Sequence, residues 1–190
     1  MTDTEPAAST EPAASTEPAA STEPAATEST PSPASPTKEA IRADLEATKT
    51  QYHELLNSLS EEDWSKKSGN PSWNVRQLMW HMAWANGFTA QGVESCRKGK
   101  GTNPPNWIAD FGNTWITRIG SRGATPQSAG EKYDESYAKV LAALETVQDD
   151  EWQKGARVFN QDMTIESTFR SIPEHFEEHE ADIRKGLGRA

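Results

Sequence analysis

Apolar side chains recur at alternating steps of three and four residues in four segments of the chain, which predicts four amphipathic helices. The first two segments cover residues 38–59 and 75–98. The third begins at Pro126, directly after a threonine cap, and the fourth covers residues 164–186. No segment alternates apolar and polar residues with a period of two, so no strand is expected. The pattern predicts an all-α domain built as a four-helix bundle.

The connections between the predicted helices constrain their order in the bundle. Residues 60–73 join the first two helices, a length that is compatible with antiparallel neighbours. Residues 99–126 join the second and third helices. This connection is long enough to run back along a whole helix, since a helix rises only about 1.5 Å per residue. We therefore expect up-down-down-up topology with a long crossover between helices 2 and 3.

The first 37 residues differ in composition from the rest of the chain and are predicted to form a disordered tail. The hexamer TEPAAS occurs three times between Thr4 and Ser21, and a fourth copy ends in Thr27. Seven of the twelve prolines lie here, and the segment contains no Trp, Tyr, Phe, Leu, Ile or Val. It cannot bury enough apolar surface to offset the entropy of ordering. We interpret residues 1–37 as a solvated extension and residues 38–190 as the folded domain.

The charge of the chain argues against a nucleic-acid partner. The 190 residues include 29 acidic and 19 basic side chains, for a net charge of −10. The tail contributes six acidic residues and no basic residue, which leaves −4 for the predicted domain. Neither part has the basic excess that neutralises phosphates. The one cysteine, Cys96, excludes an internal disulfide and a cysteine-rich zinc site.

The hydropathy of the chain predicts no membrane segment. No apolar run approaches the roughly 20 residues that a membrane-spanning helix requires. The N-terminus lacks the basic and apolar regions of a secretory signal peptide. A cytoplasmic protein, monomeric or homodimeric and without membrane partners, is the expectation.

Three of the four histidines are predicted to face the interior of the bundle. His175 and His179 are four residues apart on the fourth helix, so both rings lie on one face. His81 lies between Leu78 and Ala85 on the apolar stripe of the second helix. A core-facing imidazole without a partner costs desolvation free energy, and one metal ion would serve all three. Three neutral imidazoles leave a fourth coordination position for water or substrate, as in catalytic zinc sites.

Spacing alone leaves other interpretations of these histidines open. Each inward imidazole could be a hydrogen-bonded core residue, and the pattern His-x-x-x-His also occurs on surface helices. The neighbouring Glu177, Glu178 and Glu180 are compatible with an ordinary solvated face. His53 follows Tyr52, lies off the apolar stripe, and is predicted to be a surface residue.

Pro173 lies two residues before His175 and disturbs the fourth helix, because proline donates no backbone hydrogen bond. The helix either kinks there or begins anew, with Ser171 and Glu174 as a capping box. In both cases His175 and His179 stay on the same helical segment.

The segments that contain the three histidines resemble the motifs of DinB-like proteins. WNVRQLMWH, from Trp73 to His81, is similar to the family's helix-two motif, and HFEEHEADI, from His175 to Ile183, is similar to its helix-four motif. The preceding turn, SEEDW, is also similar, and the resemblance covers about residues 38–187. It implies an up-down-down-up four-helix bundle with a divalent metal ion, usually zinc or nickel, on His81, His175 and His179.

The resemblance also implies an activity. The family is related to mycothiol-dependent maleylpyruvate isomerase and to bacillithiol transferases. The expected function is therefore that of a metal-dependent transferase or isomerase, which uses a low-molecular-weight thiol such as mycothiol or bacillithiol on a small electrophilic substrate. A metal-dependent hydrolase with activated water and a non-catalytic metal-binding stress protein are the alternatives.

Three further residues are candidates for parts of such a site. Glu178 is close to the histidine pair in sequence and is a candidate acid–base group, although a solvent-facing carboxylate is the favoured interpretation. The long connection 99–126 could wall a substrate pocket with the rings of Trp107 and Trp115. The same rings could instead seal the core. Cys96 is interpreted as a passive thiol.

Overall fold

The structure of the protein is a computed structural model that describes residues 37–158 and 160–189, without the side chains of Trp107, Ala109 and Asp110. Residues 1–36 of the predicted tail lie outside the described residues, so the division of the chain at residue 37 stays a prediction. Within the described ranges, no helix combines the length and the apolar character needed to cross a bilayer.

Helices form most of the described part of the chain, and a short hairpin precedes the last of them. The helices are α1 (Lys38–Ser58), α2 (Val75–Ala85), α3 (Thr89–Lys98), α4 (Asn106–Gly120), α5 (Pro126–Glu145) and α6 (Ile165–Gly186). The strands β1 (Gly155–Val158) and β2 (Gln161–Thr164) pair in antiparallel fashion, with Val158 opposite Gln161.

The predicted four-helix bundle is confirmed, with α2 and α3 together occupying one of its four positions. Both α1 and the α2–α3 pair pack against α5 and α6. Arg42, near the start of α1, pairs with Glu145 at the end of α5, and Lys49 lies 3.0 Å from Asp134. These ion pairs show that α1 and α5 are antiparallel. The up-down-down-up order with a long crossover is the topology that the connection lengths predict.

The beginnings of the helices are stabilised by the capping residues that the sequence predicts. The Thr37 side chain accepts a hydrogen bond from the Ala40 N–H at 3.1 Å. Asn74 begins α2 with a capping box, and Thr125 begins α5 with a second one, followed by proline in the first turn. Thr164 forms a third capping box at the start of α6. Each cap satisfies backbone N–H groups that have no partner within the helix.

The apolar stripes of the helices meet in a single core. Tyr52 lies at its centre, where its ring stacks on Tyr133 at a centroid distance of 3.8 Å and its hydroxyl donates to the Met79 carbonyl at 2.9 Å. The apolar faces of α1, α2 and α5 thus pack around the aromatic pair of Tyr52 and Tyr133. Further fully buried side chains are Ile41, Leu45, Leu78, Met82, Leu144, Trp152, Ile165, Phe169 and Ile183.

The hairpin corrects the expectation that the chain contains no strand. Each strand has only four residues, too few to show a periodic pattern. Asn160 lies in the connecting turn with φ 65°, a left-handed conformation that asparagine adopts more readily than most residues. β1 packs against α3, so the hairpin extends the bundle on the side of α3.

The prediction of one continuous second helix is also wrong, because a 3₁₀ turn over Asn86–Phe88 divides this segment into α2 and α3. Gly87 lowers helix propensity at this point. α3 then lies so close to α6 that a Cβ on Gly92 would be 3.0 Å from the Thr168 methyl carbon. The glycine therefore permits the close approach of these two helices.

The predicted crossover contains a helix, α4, that the sequence analysis missed. Pro104, Pro105 and several glycines within residues 99–126 favour an irregular loop. α4 nevertheless packs on α2, where a Cβ on Gly120 would lie 2.3 Å from ring atoms of Trp80. Glycine is required at this contact.

Pro173 lies inside α6 without ending it. The helix is continuous from Ile165 to Gly186, so the alternative of a new helix that starts at Ser171 is wrong. The Ser171 hydroxyl instead donates to the Thr168 carbonyl at 3.0 Å.

A carboxylate links the end of α3 to the segment between α5 and β1. The Arg97 guanidinium donates to Glu151 at 3.0 Å and to the Thr146 carbonyl at 2.8 Å. The Gln148 N–H also donates to Glu151, at 3.1 Å. The Arg97 hydrogen bonds, followed by that of Gln148, lower the pKa of Glu151 from 4.5 to about 2.

We expect Glu151→Gln to lower the melting temperature at pH 7. Because the folded-state pKa lies below the unfolded value, the carboxylate stabilises the fold above about pH 4.5 and loses this effect as the pH falls toward 2. Thermal unfolding of both proteins across this range should show the difference shrinking with acidity. Glu61→Gln, which changes an exposed carboxylate, is the control. A difference that stays constant down to pH 2 would contradict the assignment.

Candidate metal centre

Three histidines meet between α2 and α6. His81 comes from α2, and His175 and His179 lie one turn apart on α6. One ligand nitrogen of each lies within 4.8 Å of the other two. The Nε2 atoms of His81 and His175 are 3.2 Å apart. The structure therefore brings together the three residues that the sequence predicts as metal ligands, and their binding of an ion stays a prediction.

The distance between two of the imidazoles fits one small metal ion. Two imidazole nitrogens bound tetrahedrally to zinc at 2.0–2.1 Å lie about 3.3 Å from each other. The distance between the Nε2 atoms of His81 and His175 agrees with this value. Imidazole donors suit zinc, copper, iron and nickel, so this set of ligands does not select one of them.

Burial keeps two imidazoles of the cluster, those of His81 and His175, neutral. His81 and His179 are each only 4% exposed, and His175 is half-buried. Desolvation, reinforced by the neighbouring imidazoles, lowers the pKa of His81 to about 3 and that of His175 to about 4. Both rings are therefore uncharged at neutral pH and have a nitrogen lone pair for a metal ion.

Thr117 on α4 and Asp182 on α6 itself orient two of the imidazoles. Nδ1 of His81 lies 3.2 Å from the hydroxyl of Thr117, a fully buried residue of α4. Nδ1 of His179 lies 3.4 Å from Oδ2 of Asp182, one turn further along α6. When Nδ1–H donates to these oxygens, the lone pair is on Nε2, which faces the cluster.

The connection between α1 and α2 covers the cluster. Asn70 donates to Oδ2 of Asp182 at 3.3 Å, and the Gly69 N–H donates to the Asp182 carbonyl at 2.7 Å. The Trp73 ring lies 4.5 Å from the ring of His81, centroid to centroid, and 5.9 Å from that of His179. The histidines are thus held by two segments besides their own helices, namely α4 and the connection between α1 and α2.

The remaining predicted site residues lie elsewhere or outside the described side chains. Glu178 is exposed on α6, and among the described contacts it makes none with the imidazoles. Trp115 is exposed on α4 and its ring lies 5.7 Å from that of Phe111. The side chain of Trp107 lies outside the described residues. The roles of these three residues stay predictions.

Two other residues are placed as expected. His53 is partly exposed and its Nε2 lies 2.9 Å from Asp134, so it belongs to the surface of the bundle. Cys96 is buried, with Sγ 3.5 Å from the Met163 carbonyl oxygen.

A cavity of about 270 Å³ reaches the cluster at His175. Its walls come from the 3₁₀ turn, α3, α6 and the hairpin. Of residues 99–126, only Thr102 contributes to the described lining. The expected contribution of the long connection to a substrate pocket therefore stays a prediction.

The sequence analysis missed four residues around the histidines. Asp182 lies three residues after His179, a helical spacing that could have identified it. Asn70 lies three residues before the helix-two motif and Trp73 is its first residue, but only tertiary packing places them over the cluster. No feature of the sequence indicated Thr117, since it lies on α4, the helix that was not predicted.

The comparison with known families identifies the fold. The family model of the DinB superfamily matches residues 44–183, so the chain belongs to this superfamily. No curated protein sequence matches the chain. Its membership rests on the family model and agrees with the similarity to solved structures.

Two solved structures are similar to the chain. The first is mycothiol-dependent maleylpyruvate isomerase, with a TM-score of 0.61 and 15% identity over 77% of this chain. The match spans 60% of that enzyme, which is therefore considerably longer. The second is YfiT from Bacillus subtilis, described as a probable metal-dependent hydrolase with an unusual four-helix bundle topology. It has a TM-score of 0.64 and 17% identity, over 86% of this chain and 95% of YfiT.

We expect the untagged protein to bind about one divalent ion per chain, because the cluster offers one tetrahedral site. His81→Ala, His175→Ala and His179→Ala should each lose most of this metal, since two imidazoles hold an ion weakly. Elemental analysis after gel filtration measures the content. His53→Ala is the matched control and should keep its metal. Full occupancy in the His81→Ala and His179→Ala proteins would exclude the site.

Asp182→Asn should weaken metal binding by about 10–100-fold, the usual effect of changing a residue that orients a ligand histidine. The uncharged amide holds the Nδ1–H of His179 less strongly than the carboxylate does. Competition with a chromophoric chelator measures the affinity. Glu177→Gln removes the same charge from an exposed position on α6 and should leave the affinity unchanged. An affinity of Asp182→Asn equal to that of the unchanged protein would show that Asp182 does not orient His179, and equal weakening in both variants would show that it acts only through its charge.

Proposed function

We propose that the protein is a metal-dependent enzyme that uses a low-molecular-weight thiol to modify or isomerise a small electrophilic molecule. The observation that carries this proposal is the cluster of three imidazoles, one of which, His175, lies at the end of a cavity whose described lining contains no other ionisable side chain. The wall offers no carboxylate or amine as nucleophile or general base. A nucleophile that is ionised at the cluster is therefore the simplest source of reactivity.

In this proposal His81, His175 and His179 hold the ion, with zinc or nickel as the expected metals. An ion held by these three residues would supply positive charge that lowers the pKa of a thiol in the remaining coordination position, and so would favour its ionised form. A free thiol with a pKa near 8.5 is only a few per cent ionised at neutral pH.

Other residues of the chain orient the imidazoles, exclude water from the cluster and bind the substrate. Thr117 and Asp182 hold the His81 and His179 rings with Nε2 toward the centre. Trp73 covers these rings and limits access of water from that side. The cavity then receives the substrate at His175, so that the electrophile and the thiol sulfur can meet there.

The similar structures support two versions of this activity. The maleylpyruvate isomerase depends on mycothiol, which favours the thiol version, with mycothiol or bacillithiol as cosubstrate. The similarity to YfiT, which extends over nearly the whole of that protein, favours hydrolysis by activated water as the second candidate. Glu178 remains the candidate acid–base residue, and Trp107 and Trp115 remain candidate substrate contacts. A cytoplasmic location is part of the proposal, since small thiols are kept reduced there.

The test is conjugation of 1-chloro-2,4-dinitrobenzene by untagged, zinc- or nickel-loaded protein, with mycothiol, bacillithiol or glutathione. The thiol sulfur bonds to the aromatic carbon, chloride leaves, and the thiol proton passes to solvent. We expect turnover to require both metal and thiol, to stop on chelation and to return when metal is restored. His179→Ala should be inactive and His53→Ala active.

Other outcomes separate the alternatives. Turnover of an ester or amide substrate that is equally fast without any thiol would refute the transferase proposal in favour of the hydrolase. Metal binding without reaction on any of these substrates would favour a non-catalytic metal-binding protein.

A further inference from the structure

Helix α4 exposes an apolar face to solvent. Six large apolar side chains in the described part of the chain are exposed, and five of them lie on this helix. Each of the five is between 44% and 61% exposed, and they are Ile108, Phe111, Trp115, Ile116 and Ile119. At 100° per residue these positions share an arc of about 140° on one side of the helix. Exposed apolar residues that cluster in this way indicate an interaction surface, whereas scattered ones would need no explanation.

The opposite side of α4 is the side that packs on the domain. Thr117 is fully buried and its hydroxyl lies 3.2 Å from Nδ1 of His81. A Cβ on Gly120 would lie 2.3 Å from ring atoms of Trp80. Both contacts are with α2, which is the main element against which α4 packs. The helix therefore lies on the outside of the bundle, with one side against α2 and its apolar face toward solvent.

The area of the apolar face matches one half of a homodimer interface. Five large side chains of roughly 200 Å² each, about half exposed, present roughly 500 Å² of apolar surface. A standard interface buries about 800 Å² on each partner, and about 65% of a homodimer interface is apolar, which again gives roughly 500 Å². The face of α4 is thus large enough to form the apolar part of a stable interface.

The shape of the face suits packing against a copy of itself. Gly112 lies within the same arc, and a Cβ added there would have no atom within 4 Å. The glycine leaves a recess between the larger side chains of Phe111 and Ile116. In a two-fold pair each copy offers both a recess and the side chains that enter the recess of the other copy, as in the packing of helix ridges into grooves.

The composition of the chain disfavours other occupants of this face. Apart from Met1, residues 1–36 contain no large apolar residue, so the tail cannot fill an apolar face of this size. A helix that binds anionic membranes is rich in lysine and arginine on its polar side. Arg118 is the one basic residue of α4, and the whole chain has a net charge of −10. The arc itself contains no charged residue, so two copies can meet there without burying like charges.

We propose that the protein forms a homodimer in which the α4 helices of two copies pack on each other across a two-fold axis. Each α4 then lies between α2 of its own chain and α4 of the second copy. This inference goes beyond the proposed function and depends neither on a bound metal ion nor on activity. The second copy covers the Trp115 ring, so the dimer excludes this residue as a substrate contact.

Sedimentation equilibrium of the full-length protein tests the association. We expect twice the mass of one chain at micromolar concentrations. Phe111→Asp and Ile119→Asp each bury two carboxylates in the dimer, one from each copy, and should weaken association by at least about 100-fold. Ala47→Asp adds the same charge at an exposed alanine of α1 and should leave the dimer intact. Circular dichroism should show that all three variants fold, because the changed side chains are exposed.

Cross-linking tests which surface forms the interface. Ile116 lies near the middle of the apolar face, so a two-fold pair brings the two copies of this residue close together. A bismaleimide should therefore link two chains of Ile116→Cys. Ala47→Cys should stay unlinked, as should the unchanged protein, whose Cys96 is buried.

Three outcomes would overturn the inference. The first is a monomeric mass, and cosedimentation of that monomer with vesicles of phosphatidylcholine and phosphatidylglycerol would then assign the face to a membrane surface. The second is a dimer that persists in Phe111→Asp and Ile119→Asp, either of which is decisive if the other does not fold. The third is a dimer in which Ile116→Cys does not cross-link, since the copies then associate through another surface. The proposed function stands in all three cases.

Discussion

The burial of three imidazoles between α2 and α6 is the constraint on which the rest of the site depends. A buried imidazole must be neutral and must satisfy both of its nitrogens, because an unpaired polar atom in the core is costly. Burial and mutual proximity hold the pKa of His81 and of His175 well below the ordinary value. Thr117 and Asp182 each face one Nδ1 atom, which leaves Nε2 for a shared partner. Such a cluster is more readily explained by a metal ion than by three independent hydrogen bonds.

The topology of the bundle brings the three imidazoles together. The second and last bundle positions lie side by side, so α2 can place His81 against the His175–His179 pair of α6. The long crossover contains α4, which packs on α2. This packing places the Thr117 hydroxyl next to Nδ1 of His81. The connection before α2 returns over the cluster and holds Asp182 through Asn70. Segments far apart in sequence thus hold the same few ring atoms, and rigid support of this kind is what a precise metal geometry requires.

The cavity and the histidine cluster differ in the kinds of side chain that form them. The break between α2 and α3 and the hairpin create the cavity next to His175, where a regular bundle would be closed. The described wall is mainly apolar and contains hydroxyl and amide groups, but no acidic side chain, lysine or arginine. In the proposed function, reactivity therefore depends on the histidine cluster, and the wall contributes ligand binding.

The sequence by itself determined the helical class, the caps at Thr37, Asn74 and Thr125, and the inward direction of His81, His175 and His179. These features are local, because helical periodicity decides which side chains share a face, and a cap is formed by residues within one turn. Tertiary structure alone decided the docking of α4, the hairpin, and the contacts of Thr117 and Asn70 with their partners. The strands are too short to show a period, and α4 is flanked by prolines and glycines that also suit a loop. The position of the cavity likewise depends on how α3, α6 and the hairpin pack. Packing between distant segments is set by the summed burial of side chains, which no single stretch of sequence contains.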